Sequence, residues 1–168
     1  MMRIANDRTD PEPESAPLDM LAALFEAHGW PVTAAGDELA GEIKGSWTTY
    51  QLKGLWRGED NVLQILCLPE IRIPGEQMAA AQELVTLINE QMWLGHFDIW
   101  SNGGVLLYRN GNLLGDDGLL SLAQAQALIE TAVEECDRFY PAFQFVLWGG
   151  KSPRQALDAA MVDAAGEA

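Results

Sequence analysis

Positive charge is scarce in this chain. Ten Lys and Arg stand against 25 Asp and Glu, a formal net charge of −15. Nucleic-acid binding rests on cations that neutralise phosphates, and a chain this acidic is repelled at long range by polyanions and anionic membrane surfaces alike. Neither is an expected partner. Cysteine is nearly absent as well. Cys67 and Cys136 are too few to staple a domain of 168 residues or to supply the four ligands of a structural zinc site, so both read as buried free thiols. No stretch approaches the ~20 apolar residues that a membrane-spanning helix needs. The first sixteen residues lack the apolar core of a secretory signal. The expected location is therefore the cytoplasm.

What is present is apolar enough to fold. Hydrophobic residues make up 48% and charged residues 21%, too rich in apolar side chains for a disordered acidic tail and sufficient for one core. Residues 1–16, with Asp7, Asp10, Glu12 and Glu14 beside Pro11 and Pro13, read as a disordered acidic lead-in to a single domain over 17–168.

Leu18, Leu21, Ala22 and Phe25 recur at helical spacing behind Pro17, and His28-Gly29 closes that helix. Trp30-Pro31 forces an extended exit. Three strands follow, Glu38 to Lys44, Trp47 to Trp56 and Val62 to Leu68. The last is apolar on both faces and therefore central; the short links between them predict an antiparallel meander. From Glu76 to Trp93, Met78, Ala81, Val85, Ile88 and Met92 form one stripe that Leu84 and Leu87 widen beyond the ~100° of arc that one contact requires. The extra width predicts that this helix buries a second surface, and Met78, Val85 and Met92 are its candidates for a dimer contact, with packing on the sheet as the competing assignment. His96 to Trp100 and Val105 to Arg109 read as a hairpin around Ser101-Asn102-Gly103-Gly104, and Gly111 to Gly118 as loop. Ser121 with Gln124 opens the next helix as a capping box, Pro141 marks a kink or stop, and Ser152-Pro153-Arg154-Gln155 caps a short final helix to about Ala164.

No constellation of reactive residues survives inspection. Gly150-Lys151-Ser152 is half of a phosphate-binding loop, with Phe145 where the first glycine belongs. Asn110, Asn112, Gly115 and Asp116 imitate a calcium loop in which Leu114 and Ser121 fall at ligand positions. His96, Asp98 and Ser101 lack the strained elbow and oxyanion hole of a nucleophile, although His96 and Asp98 share a strand face and predict a structural pair. Glu130, Glu134 and Asp137 share a helical face and read as its solvated side. Catalytic, cofactor and metal sites are thus all expected to be absent. The aromatic run Phe139 to Trp148 reads as core, or as a partner surface through Phe143, Phe145 and Trp148. Lys151 and Arg154, at the start of the last helix, are the candidates for an anion site.

Gly45-Ser46-Trp47, Leu87 to Trp100 and Cys136 to Leu157 resemble the YbjN-domain family of bacteria, described as sensory transduction regulators, over about Leu18 to Ala168. That family resembles the type III secretion chaperones in fold. The resemblance implies an α+β domain of order α-β-β-β-α-β-β-α, here with one more C-terminal helix, and the order read from the residues agrees with it. It also implies a non-catalytic, homodimeric module that binds another protein or peptide in signal transduction or stress response, and it supplies no catalytic residues. The alternative is a sensor of small ligands or anions.

Overall fold

The computed structural model describes residues 14–166. Its elements run β1 (Glu14–Ser15), α1 (Pro17–Ala27), β2 (Val32–Ala35), β3 (Glu38–Lys44), β4 (Thr49–Arg57), β5 (Val62–Leu68), a 3-10 turn (Gly75–Gln77), α2 (Met78–Asn89), β6 (His96–Trp100), β7 (Val105–Leu113), β8 (Leu120–Ser121), α3 (Leu122–Leu147) and α4 (Pro153–Gly166). The class is α+β, as expected. The order contains the predicted series plus three short strands.

Strict alternation builds the sheet. Along β3 every second residue, Leu39, Gly41 and Ile43, is buried, and β4 continues the same face through Tyr50, Leu52 and Gly54. The six strands run in the order β2-β3-β4-β5-β7-β6, every neighbouring pair antiparallel. β5 is interior, with Leu63, Ile65 and Cys67 on the core side and Leu66 buried on the other, which accounts for its apolar run. Residues from all four helices join the core-side strand residues in one hydrophobic cluster.

The outer edge of β6 is closed by side chains. The Asn89 amide accepts from the Phe97 N–H at 2.8 Å and donates to the Phe97 carbonyl at 3.0 Å, copying a strand partner, and the Asp98 carboxylate accepts from the Ile99 N–H at 2.8 Å. Unpaired edge groups invite association with another chain, and these contacts engage three of them. They also explain why α2 ends at Asn89, short of the predicted Trp93. Beyond it the amides of Gln91 and Met92 bond three residues back in tight turns, and Gly95, at φ +70°, redirects the chain into β6.

Pro141 does not stop its helix; α3 continues from Leu122 to Leu147. A proline lacks the N–H that would bond the carbonyl four residues earlier, which here belongs to Asp137. That carbonyl accepts instead from the Trp47 indole N–H at 3.1 Å. The apolar face beyond the proline, Ala142, Phe143, Val146 and Leu147, is buried and carries the helix onward. Ser121 caps α3 by accepting from the Gln124 N–H at 3.1 Å, and Ser152 and Gln155 cap α4 reciprocally.

Of the lead-in expected over 1–16, residues 1–13 lie outside the described part. Glu14–Ser15 pairs with β8, so ordered structure begins before Pro17. The wide apolar arc of α2 is met within the chain: this helix packs against α3, α4 and β6.

Candidate functional site

Two features stand out on the α1–α3 side of the molecule, a polar junction and an apolar groove. The junction joins the β3–β4 turn to the middle of α3. Asp137 Oδ1 accepts from the Ser46 backbone N–H at 2.9 Å and from the Tyr50 hydroxyl at 2.5 Å, while Oδ2 accepts from the Ser46 hydroxyl at 3.1 Å. Trp47, already bound to the Asp137 carbonyl, lies parallel to the Tyr140 ring with centroids 6.3 Å apart. Gly45 is required here because a Cβ would strike the Tyr50 ring and come within 2.8 Å of Asp137 Oδ1. Tyr50 is fully buried. Burial, and then the Asp137 carboxylate, push its hydroxyl far above the ordinary tyrosine range, so it stays a donor.

Asp137 therefore does not belong to a solvated face with Glu130 and Glu134, as its helical spacing suggested. Helical spacing does not mark the difference, because its partners lie some ninety residues away. The one local clue is its position four residues before Pro141. The junction also unites two of the stretches on which the family resemblance rests, and both Asp137 carboxylate oxygens, the Ser46 donors, the Trp47 indole and the Tyr50 hydroxyl have partners within the chain. It is a structural fastening rather than a ligand site.

The groove opens between the end of α1, β3 and the first half of α3, with a volume of about 340 Å³. Leu24, Ile43, Ile129 and Val133 form an apolar floor, and the first three are nearly inaccessible except through the opening. One wall is aromatic, with His28 stacked on Trp30 at 4.3 Å and 11° between planes. Trp30 in turn meets Phe25 edge-on at 5.3 Å. The opposite lip, on α3, is polar and acidic: Gln126, Glu130 and Glu134 follow one another at successive turns, and Gln126 Nε2 donates to Glu130 Oε1 at 2.8 Å.

The residues singled out from sequence are scattered. Phe143 is in the core beside Phe97, and this removes it from any surface; Phe145 is half-buried beneath the Lys151 ammonium, 5.6 Å from its ring centroid; Trp148 is 66% exposed. Met78 and Val85 on α2, and Met92 beyond its end, are half-buried against the core. Lys151 and Arg154 are exposed, and the Gln155 amide in the first turn of α4 is engaged by the Ser152 hydroxyl. Asp98 pairs with Arg109 at 3.9 Å, not with His96. Cys67 and Cys136 are both buried and free. Burial, together with the neighbouring Cys67 thiol, raises the Cys136 thiol well above its usual value, which keeps it protonated and unreactive at neutral pH. Among the described residues no group of three or more His, Cys, Asp or Glu is placed to hold a metal ion, and no helix is long and apolar enough to cross a membrane.

Residues 17–145 match the YbjN family model, described as "Putative bacterial sensory transduction regulator". No curated protein matches the chain. Among solved structures, a chain of the ExsC–ExsE complex is similar at 14% identity with a TM-score of 0.46, over 72% of this chain and 88% of that one.

Proposed function

The chain belongs to the YbjN family, and from that premise we propose that it is a non-catalytic regulatory or chaperone-like module that binds another polypeptide in the cytoplasm through the α1–α3 groove. The observation that carries this reading is the groove itself: apolar side chains of α1, β3 and α3 line an open cleft with a polar lip, the form in which partner segments are received. Three of the chemically capable side chains serve the fold instead. Asp137 holds a turn, Asp98 holds a strand edge and an arginine, and Cys136 is sealed in the core.

Val133→Glu tests the reading by placing a carboxylate on the half-buried floor of the groove. A polypeptide retained from native cytosol by the wild-type chain is expected to be lost by the variant, with melting temperature and circular dichroism unchanged. Equal retention by both chains removes the groove from the function.

The homodimer belongs to the same proposal. Its candidate surface over Met78, Val85 and Met92 now competes with the contacts that α2 makes to α3 and α4. Multi-angle light scattering at micromolar concentration is expected to give twice the chain mass; the monomer mass overturns the dimer.

A further inference from the structure

We propose that the partner segment taken by the α1–α3 groove is cationic and amphipathic, with an apolar residue on the Leu24–Ile43–Ile129 floor and Lys or Arg side chains against Glu130 and Glu134. The inference rests on the protein-binding reading and specifies the chemistry of the partner.

The charges on the lip are the starting point. Glu130 and Glu134 are exposed and lie one helical turn apart, where like charges destabilise a helix. No Lys or Arg occurs from residue 110 to 137 to relieve them. The ion pairs among the described residues, Arg57 with Asp60 and Arg109 with Asp98, involve neither carboxylate. Arg138, the next cation in sequence, lies over the Phe139 ring and reaches Met161 on α4. The α3 lip thus presents two carboxylates without a cation, directly beside an apolar floor.

This combination selects among occupants. An anion is repelled by the lip, and a purely apolar ligand leaves both carboxylates without a counter-charge, the Gln126 amide on Glu130 being neutral. A second copy of this chain brings a net charge of −15. Its most exposed large apolar side chain among the described residues, Trp93 at 98%, sits in a stretch from Ile73 to Tyr108 that contains no Lys or Arg. A basic amphipathic segment satisfies floor and lip together. From Gln126 to Glu134 the lip spans about 12 Å at the helical rise, so the matching segment needs only some two helical turns or three to four extended residues.

The test uses the full chain and three fluorescein-labelled 16-residue peptides. One has leucines at helical spacing flanked by lysines, one is its scramble, and one has Glu in place of every Lys. Fluorescence anisotropy at about 0.15 M salt suppresses long-range attraction and leaves contact pairs. The patterned Lys peptide is expected to bind about tenfold tighter than either comparator, and Glu130→Gln/Glu134→Gln to weaken it by about three- to tenfold while leaving the melting temperature unchanged. Amide shifts in the bound chain are expected at Leu24, His28, Glu130 and Glu134. If the scramble or the Glu peptide binds equally well, or the double variant binds as tightly as wild type, the cationic specificity is refuted. Should peptides shift the groove amides without regard to charge, protein binding stands and this inference falls; should none shift them, both fall.

Discussion

Phe97→Ala lowers the folding stability by about 4 kcal/mol, within the range for removing a buried phenylalanine from a close-packed site. The ring is 2% exposed although it sits on an edge strand. It meets Tyr108 edge-on at 5.8 Å, Phe139 edge-on at 5.9 Å and Phe143 at a tilt at 5.7 Å, so it joins β6 to β7 and to two turns of α3. Its backbone, through Asn89, also holds the end of α2. Truncation loses the transfer free energy and opens a cavity lined by three aromatic rings that cannot collapse together, because each is fixed by its own element. Urea denaturation reads the loss as a midpoint lower by about 2 M for a slope near 2 kcal/mol per M. A drop below about 1 kcal/mol means that the rings close over the gap and that β6 is not anchored through this residue. Phe97→Leu is the control, expected to recover more than half of the loss by restoring volume without the ring contacts.

The anchoring of β6 shows which parts of the fold were legible in the sequence. The hairpin was readable because Phe97 and Ile99 alternate with polar residues and a Gly-rich turn follows. The closing of its edge was not, because Asn89 carries no signature distinguishing a strand mimic from a helical residue. Strands β3 and β5 have the predicted bounds, since Leu39 and Ile43 mark one face of β3 and β5 is apolar on both faces apart from Gln64. β2 was missed because Ala34 and Ala35 are weakly β-forming and Thr33, Ala34 and Ala35 are all exposed, so its four residues carry no apolar alternation; it exists by pairing with β3. The two-residue strands β1 and β8 are too short to carry a period at all.

The candidate site was less legible still. Ile129 and Val133 recur at helical spacing with Ala125, Leu128, Ala132 and Cys136, a stripe that reads as buried, yet no periodicity shows that a cleft opens above them. A groove is a property of the gap between elements. Glu130 and Glu134 were rightly placed on an exposed face, and only the proximity of His28, Trp30 and Ile43 turns that face into a lip. Phe143 failed as a surface candidate for the same kind of reason: in an aromatic run, which ring turns inward is set by the helix phase, and that phase continues unbroken through Pro141.

Asp137→Ala is the second large effect, a loss of about 3 kcal/mol. Hydrogen bonds to charged groups contribute about 1.5–3 kcal/mol each when intact, and partial exposure of the carboxylate reduces three such bonds to this smaller total. The dominant part is the Tyr50 hydroxyl, buried beneath Gly45 and left without an acceptor, which costs about 1–3 kcal/mol by itself. The Trp47 bond survives because it uses the main-chain carbonyl that Pro141 leaves open, so the turn stays near α3 and the variant folds. A double-mutant cycle separates these contributions. Tyr50→Phe is expected to cost about 1 kcal/mol in the wild-type chain and to be neutral or stabilising in the Asp137→Ala chain, because it deletes the orphaned hydroxyl. Additive losses sink the idea that the two side chains act as a pair. The same variants bear on the groove: Asp137 lies outside its lining, so at temperatures where Asp137→Ala remains folded its affinity for the patterned Lys peptide is expected to equal that of wild type. A parallel loss of binding and stability relocates the recognition surface to the β3–β4 turn, and unchanged binding in a weakened fold keeps the junction as a fastening and the groove as the site.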